Sequence, residues 1–313
     1  MIAETFSNNP YDLFKLNTDS EILDLSILIP LYHLIWDERL PHISHLYSYP
    51  STKTFESHLK FLLKRYTPIS LEDLLRYCTQ GYALPKRVMH LTFDDGLNSN
   101  CETIAPVLLR YGVPATFFLT TEFIDNRALF FRHKVSLLIN DLATSWPTPN
   151  CIQGISEILD CQLNSFDDAK RTLLSVSYTH SNILDKIAVL INVDFDAYLK
   201  TVKPYVTFRD VQYLIKQGFS IGAHSVDHPR FCELTKEEQL SQAMSSVKYI
   251  SDKFAVSQPS FAFPFTDQGV EASIIQQMHD YGIIPTFGTR GLQPRKPSLH
   301  LQRLGLDGVP FIE

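Results

Sequence analysis

The 313-residue sequence contains no apolar run of the roughly eighteen residues that a membrane helix needs, so no integral membrane segment is expected. Residues 1–10 include Glu4, Asn8 and Asn9 and lack a basic start followed by an apolar core. That is not the pattern of a secretory signal, and a cytoplasmic protein is the expectation. Positive charge is not in excess either: 28 Lys and Arg stand against 34 Asp and Glu, a net charge of -6. Such a balance is not the footprint of a nucleic-acid-binding protein. The five cysteines (Cys78, Cys101, Cys151, Cys161 and Cys232) are odd in number, and no two have CxxC spacing. This argues against a disulfide framework and against a Cys-based zinc site, and leaves buried thiols as the simpler reading. No GxGxxG turn follows the first strand-like runs, which disfavours an open dinucleotide-binding sheet.

What is present is an alternation of short apolar runs with amphipathic segments. Residues 25–33, 88–93, 115–120, 219–222, 260–263, 284–288 and 300–306 have the composition of buried strands. Between them, 54–66, 100–111, 207–217 and 269–281 carry apolar residues at helical spacing. Ser70 with Asp73, Thr207, and Thr235 with Glu238 are helix-start signals. About seven strands alternating with helices predict an α/β protein with a parallel sheet. The polar candidates cluster at strand C-termini, which favours a distorted (β/α) barrel. Residues 1–24 form a polar lead-in, and 25–313 form one barrel domain. Residues of about 125–204 interrupt the alternation as a helical insertion, with the Trp146-Pro147-Thr148-Pro149 segment as a break.

Two pairs of residues carry the chemistry. Asp94 and Asp95 close the run Val88-Met89-His90-Leu91-Thr92-Phe93, just before Gly96. Neighbours in an extended segment point to opposite sides, but a turn at Gly96 lets both carboxylates face one pocket. An Asp-Asp-Gly turn alone is ordinary solvated punctuation. His224 and His228, bracketed by Gly222 and Pro229, are four apart, and on a helical turn that spacing places both on one face. Two imidazoles and one carboxylate make a facial metal triad with positions left for water and substrate. A metal-dependent hydrolase is the leading reading.

Thr92-Phe93-Asp94-Asp95-Gly96 and His224-Ser225-Val226-Asp227-His228-Pro229 resemble the first two signature motifs of the polysaccharide deacetylases, the NodB-like carbohydrate esterase family 4. Phe261-Ala262-Phe263-Pro264-Phe265 resembles the third. The resemblance implies a barrel with fewer than eight strands and metal-dependent removal of an N-acetyl or related acyl group from a sugar. It implies that Asp95, His224 and His228 hold a divalent metal, most often zinc, and that Asp94 is the general base. It places an oxyanion-stabilising backbone N–H just after Pro264, at Phe265. Many members carry an arginine two residues before that proline, where this chain has Ala262. The last family motif supplies a histidine as general acid near the final strand, where this chain has His300. Arg303 is the alternative functional residue there, stabilising charge or pairing with Asp94, and His33, at the end of the first strand, is a third candidate for a site imidazole. The expected partner is an N-acetylated sugar or glycan, and the oligomeric state is not encoded legibly. A non-sugar amide or imide hydrolase and a degenerate glycan- or partner-binding domain remain as alternatives. Asp227 is expected to face solvent, Tyr32 and Trp36 to pack in the core, and His42 and His45 to lie near the mouth.

Overall fold

The computed structural model describes residues 26–291 and 297–309, so the lead-in expected over 1–24 lies outside the described residues. The strands are β1 (Ile27–Leu28), β2 (Pro30–Tyr32), β3 (Thr67–Pro68), β4 (Val88–Met89), β5 (Leu91–Phe93), β6 (Ala115–Leu119), β7 (Ser220–Ala223), β8 (Phe261–Ala262), β9 (Thr286–Gly288), β10 (His300–Gln302) and β11 (Leu304–Gly305). Eight of them form one sheet in the order β10-β9-β8-β7-β6-β5-β2-β11. Every pairing in it is parallel. The two ends of that order, β10 and β11, are separated in the chain by Arg303 alone. One run, 300–305, therefore pairs with β9 on one side and with β2 on the other, and the sheet becomes a nearly closed barrel. Counting that run as one stave reconciles the eight strands with the roughly seven expected. A short parallel trio, β1-β4-β3, extends the barrel at the starts of β2 and β5; β3 is too short to be visible in the sequence.

Strands buried on both faces need apolar side chains in both directions. Phe93, Phe117, Leu119, Phe261 and Phe263 point one way, into the larger core cluster with the helices. Ile29, Val88, Phe118, Ala262, Phe287 and Leu301 form a second cluster, which strand alternation assigns to the barrel interior. The first helices are α1 (Thr52–Leu63), α2 (Leu71–Gln80) and α3 (Ala105–Tyr111), the last preceded by a π-helical turn at Asn100–Ile104. Next come α4 (Phe131–Thr144), α5 (Pro149–Leu159), α6 (Phe166–Ser175), α7 (Ile183–Leu190) and α8 (Phe195–Val202), then α9 (Phe208–Lys216), α10 (Lys236–Phe254) and α11 (Ala272–Asp280). Ser70, Thr207 and Thr235 each make a reciprocal capping box, which satisfies backbone N–H groups that the first turn leaves free.

By internal contacts the described chain forms two compact units. One comprises 26–37, 49–125 and 204–309 and contains the barrel; the other comprises Glu38–Ser48 and Asn126–Lys203. Within the second unit, α4 to α8 supply the helices. Pro149 starts α5 at its first turn instead of marking only a break, a position where its missing N–H has no helical partner to lose. The 38–48 segment is tied in by Ser136 Oγ donating to the Pro41 carbonyl at 2.6 Å and by a 2.7 Å hydrogen bond between His42 Nδ1 and Tyr198 OH. No described helix is long and apolar enough to cross a membrane.

Candidate active site

The ladder continues past β5: the Asp94 N–H donates to the Tyr32 carbonyl at 3.0 Å. Asp94 thus keeps strand alternation, opposite to Phe93. Asp95 and Gly96 then both take left-handed backbone, each with φ 72. Aspartate is among the few side chains that tolerate this region. The reversal begins one residue earlier than Gly96, and it lets neighbouring carboxylates converge. After β7, the His224 N–H donates to the Leu119 carbonyl at 2.9 Å. The two histidines are not on a helical turn, contrary to the reading from spacing. Ser225 (φ 67) and His228 (φ 65) are both left-handed, and the His228 N–H is held by Ser225 Oγ at 3.0 Å. A looped path, not a helical face, joins them.

Asp95, His224 and His228 present one ligand atom each within 4.8 Å of one another. His228 Nε2 lies 3.1 Å and His224 Nε2 3.5 Å from Asp95 Oδ1. His224 Nδ1 donates to the Ala262 carbonyl at 2.9 Å, so Nε2 is the ring nitrogen turned toward the two acids. All three residues are buried. Asp95 Oδ1 and His224 Nε2 have no hydrogen-bond partner, although buried polar atoms are as a rule paired. Two imidazole nitrogens and a carboxylate with such unused atoms are a donor set that fits a divalent cation.

Arg303 is fully buried and forks onto Asp94: Nη1 to Oδ1 is 2.6 Å and Nη2 to Oδ2 is 2.7 Å. Its Nε donates to the Gly288 carbonyl at 3.2 Å, and its guanidinium lies 5.4 Å from the Phe118 ring centroid. Burial works to raise the Asp94 carboxyl, but the Arg303 charge and then His224 overcome it and hold it below the usual carboxylate range. Burial acts the same way on Asp95, where His228 and His224 prevail and hold its carboxyl well below that range. His224 Nε2 is 3.6 Å from Asp94 Oδ2, so the two acids share one imidazole edge.

His300 does not join this group. Its Nε2 is 3.0 Å from Asp267 Oδ2 and its Nδ1 3.0 Å from Thr286 Oγ1. Strand parity is the reason. His300 and Gln302 both bond Asp267, whereas Leu301 packs in the inner cluster and Arg303 reaches Asp94. His33 is held by Asp307, through its backbone N–H at 3.0 Å and through Nδ1 at 2.6 Å. Burial opposes its charge, yet Asp307, with smaller contributions from Asp95 and Asp94, raises its pKa to about 9. Phe265 is left-handed (φ 57), and its ring meets that of His228 edge-on with centroids 4.7 Å apart. Pro264, just before it, is buried. Asp227 is half-buried and accepts a 2.8 Å hydrogen bond from Gln242, so it is not simply solvent-facing. Tyr32 is a core residue, bonded to His58 and stacked on Phe93. His42 and His45 belong to the smaller unit. Asp307 and Asp267 had no motif to announce them.

Residues 81–152 and 197–284 match the family profile described as Polysaccharide deacetylase. The match takes in Asp94, Asp95, His224, His228, Pro264 and Phe265 and ends before His300 and Arg303. YxkH of Bacillus subtilis (strain 168), a polysaccharide deacetylase by name, is 32% identical over 76 residues, 24% of this chain and 27% of YxkH. The similarity thus spans about a quarter of that relative. The Streptococcus pyogenes deacetylase PplD, solved in complex with acetate, superposes with a TM-score of 0.58 at 15% identity, over 90% of this chain and 93% of its own. IcaB from Ammonifex degensii gives 0.58 at 12%, over 90% and 92%. A de-N-acetylase from Aggregatibacter actinomycetemcomitans gives 0.57 at 15%, over 91% and 97%. At these identities the structural likeness speaks to the fold alone.

Proposed function

The chain belongs to the polysaccharide deacetylase family, and from that premise we propose that it removes an N-acetyl or related acyl group from an amino-sugar of a polysaccharide or glycoconjugate precursor. The observation that carries the reading is the buried convergence of Asp95, His224 and His228, in which Asp95 Oδ1 and His224 Nε2 have no hydrogen-bond partner. In this reading those side chains hold a divalent metal, zinc by their donor types. Once bound, it supplies Lewis acidity toward a water and an acyl carbonyl.

The remaining roles fall to the chain's own groups. Asp94, kept ionised by Arg303, takes the proton of the attacking water on its carboxylate. Arg303 holds both Asp94 oxygens in one plane and so fixes where that proton lands. It supplies from the closing strand the cation that many relatives carry at the position of Ala262. The backbone N–H of Phe265, after Pro264, stabilises the oxyanion. His33, protonated at neutral pH by virtue of Asp307, is the imidazole assigned to return a proton to the leaving amine, in place of His300. Residues 25–313 are taken as the catalytic domain, with 125–204 as an insertion.

Metal analysis and acetate release test the proposal together. The purified chain is expected to bind zinc stoichiometrically, to lose turnover with a chelator and to regain it with zinc. His228→Ala is expected to hold no metal. Acetate should be released from N-acetylated amino-sugar oligomers in preference to simple acetamides. A chain that takes up no divalent metal would overturn the hydrolase reading, and a preference for non-sugar amides would move the substrate outside carbohydrates.

A further inference from the structure

Asp267 lies three residues beyond Pro264, on no recognised motif, and its carboxylate is among the most heavily bonded groups of the barrel. It is buried (1% exposed). Oδ1 accepts from the Thr289 N–H at 3.1 Å. Oδ2 accepts from Gln302 Nε2 at 2.9 Å, from Arg290 Nε at 3.0 Å and from His300 Nε2 at 3.0 Å. These donors come from the two residues that follow β9 and from β10. The carboxylate stands in the space that a side chain at Gly288 would fill; a methyl group there would collide with it.

Gly288 is also where Arg303 is anchored. Its carbonyl accepts from the Arg303 backbone N–H at 3.1 Å and from Arg303 Nε at 3.2 Å. Arg290 N–H donates to Gln302 Oε1 at 2.7 Å, and Gly291 N–H to the Arg303 carbonyl at 3.0 Å. On the other side, Thr289 Oγ1 donates to the Phe265 carbonyl at 3.2 Å. A single carboxylate therefore lies under three things at once: the glycine that holds the arginine fork, the strand end that carries the arginine, and the turn that carries Phe265. A guanidinium has a rigid planar fork, so a shift of the Gly288 carbonyl tilts both of its contacts to Asp94 together.

We propose that Asp267 is a positioning residue: it locks the Gly288 carbonyl and the β10 end so that Arg303 meets Asp94 squarely, and it fixes the Phe265 turn to the same edge. The proposal rests on the reading in which Arg303 orients a catalytic Asp94. Asp267 touches no reacting atom, so its loss lowers kcat and leaves substrate and metal binding in place.

The test uses the full zinc-loaded chain with Asp267→Asn and Gly288→Ala; the second variant displaces the same carboxylate without removing it. With 4-nitrophenyl acetate and an N-acetylated glucosamine oligomer as probes, both variants are expected to lose about 10- to 100-fold in kcat. KM and zinc affinity should be unchanged. In protein labelled with 15N-arginine, the Arg303 Nε–H signal, identified by its loss in Arg303→Lys, is expected to move in both variants. Unchanged kcat with an unmoved signal would overturn the proposal. So would a parallel fall in kcat, zinc affinity and unfolding midpoint, which marks a merely structural role. Were the wild-type chain to turn over neither probe, the deacetylase reading would fail on its own. The arginine signal would still decide whether Asp267 positions Arg303.

Discussion

On the Arg303 side of the site both Asp94 oxygens are engaged by a buried guanidinium, and that guanidinium is anchored in turn on Gly288. On the His228 side, Asp95 Oδ1 and His224 Nε2 are buried and have no hydrogen-bond partner. Asp94 and Asp95 are adjacent in the chain and within reach of the same imidazole. The difference lies in their neighbours, not in the acids. A satisfied carboxylate in a fixed plane suits proton transfer, because its geometry does not change between encounters. An unsatisfied one suits a ligand supplied from outside, because nothing has to be broken before the ligand binds. The residue in left-handed backbone is Asp95, and the residue that keeps strand geometry is Asp94. One dipeptide yields two environments because the chain reverses between its two side chains.

The contrast can be broken first at the chemistry. Asp94→Asn is expected to lower turnover by about 10²- to 10⁴-fold, the usual worth of a positioned general base, while zinc content measured by elemental analysis stays at the wild-type level. Loss of zinc along with turnover would mean that the two acids do not divide the work. The second test is energetic. Arg303→Met leaves a buried carboxylate unpaired and is expected to cost about 3–5 kcal/mol in urea unfolding. Asp94→Leu combined with Arg303→Met should recover most of that loss, since removing both partners leaves no orphaned charge. A small cost for the single variant would show that the closed side is no better satisfied than the open one.

The third test moves to His33, whose partner Asp307 makes it a smaller copy of the closed side. Its pKa is raised from 6.5 to about 9. Its contribution to stability is therefore fully present below about 6.5 and is lost as pH rises through about 9. In metal-free protein the stability difference between wild type and His33→Gln should be at most about 3 kcal/mol at the acid end and should shrink on raising the pH. Chemical unfolding followed across that range measures it, and a difference that grows with pH would reverse the assignment. The smallest effect is a control. Thr207→Ala removes the capping box of α9 and should cost about 1 kcal/mol, with turnover and zinc content unchanged.

Much of this site was legible because burial on both faces forces parallel strands into continuous apolar runs, so that Asp94, Asp95 and His224 stood out where the runs end. The capping boxes at Ser70, Thr207 and Thr235 were legible because their partners are three residues away. What stayed hidden depends on partners far along the chain. Spacing alone suggested a helical turn for His224 and His228, because the left-handed backbone at Ser225 carries no glycine to announce it. His300 and Arg303 were equal candidates until strand parity separated them. Leu301, apolar between two polar residues, was the available signal that Arg303 shares its face. Asp307 and Asp267 act on residues 274 and 33 positions away, and no local pattern encodes such pairings. The helices α5, α6 and α8 were not individually outlined; Pro149, read as a break, is where α5 begins.

The Arg303–Asp94 pair spans 209 residues of chain, and Arg303 lies on the stave that follows all the others in sequence. During synthesis Asp94, Asp95, His224 and His228 are all made before Arg303 exists. The barrel seam and the ion pair both depend on 300–305, which lies between β9 and β2. Contacts so distant in sequence are slow to form, and a chain stopped short of them would hold Asp94 without its guanidinium beside an open seam. One short run, 300–305, thus answers both for the closure of the sheet and for the guanidinium that faces Asp94.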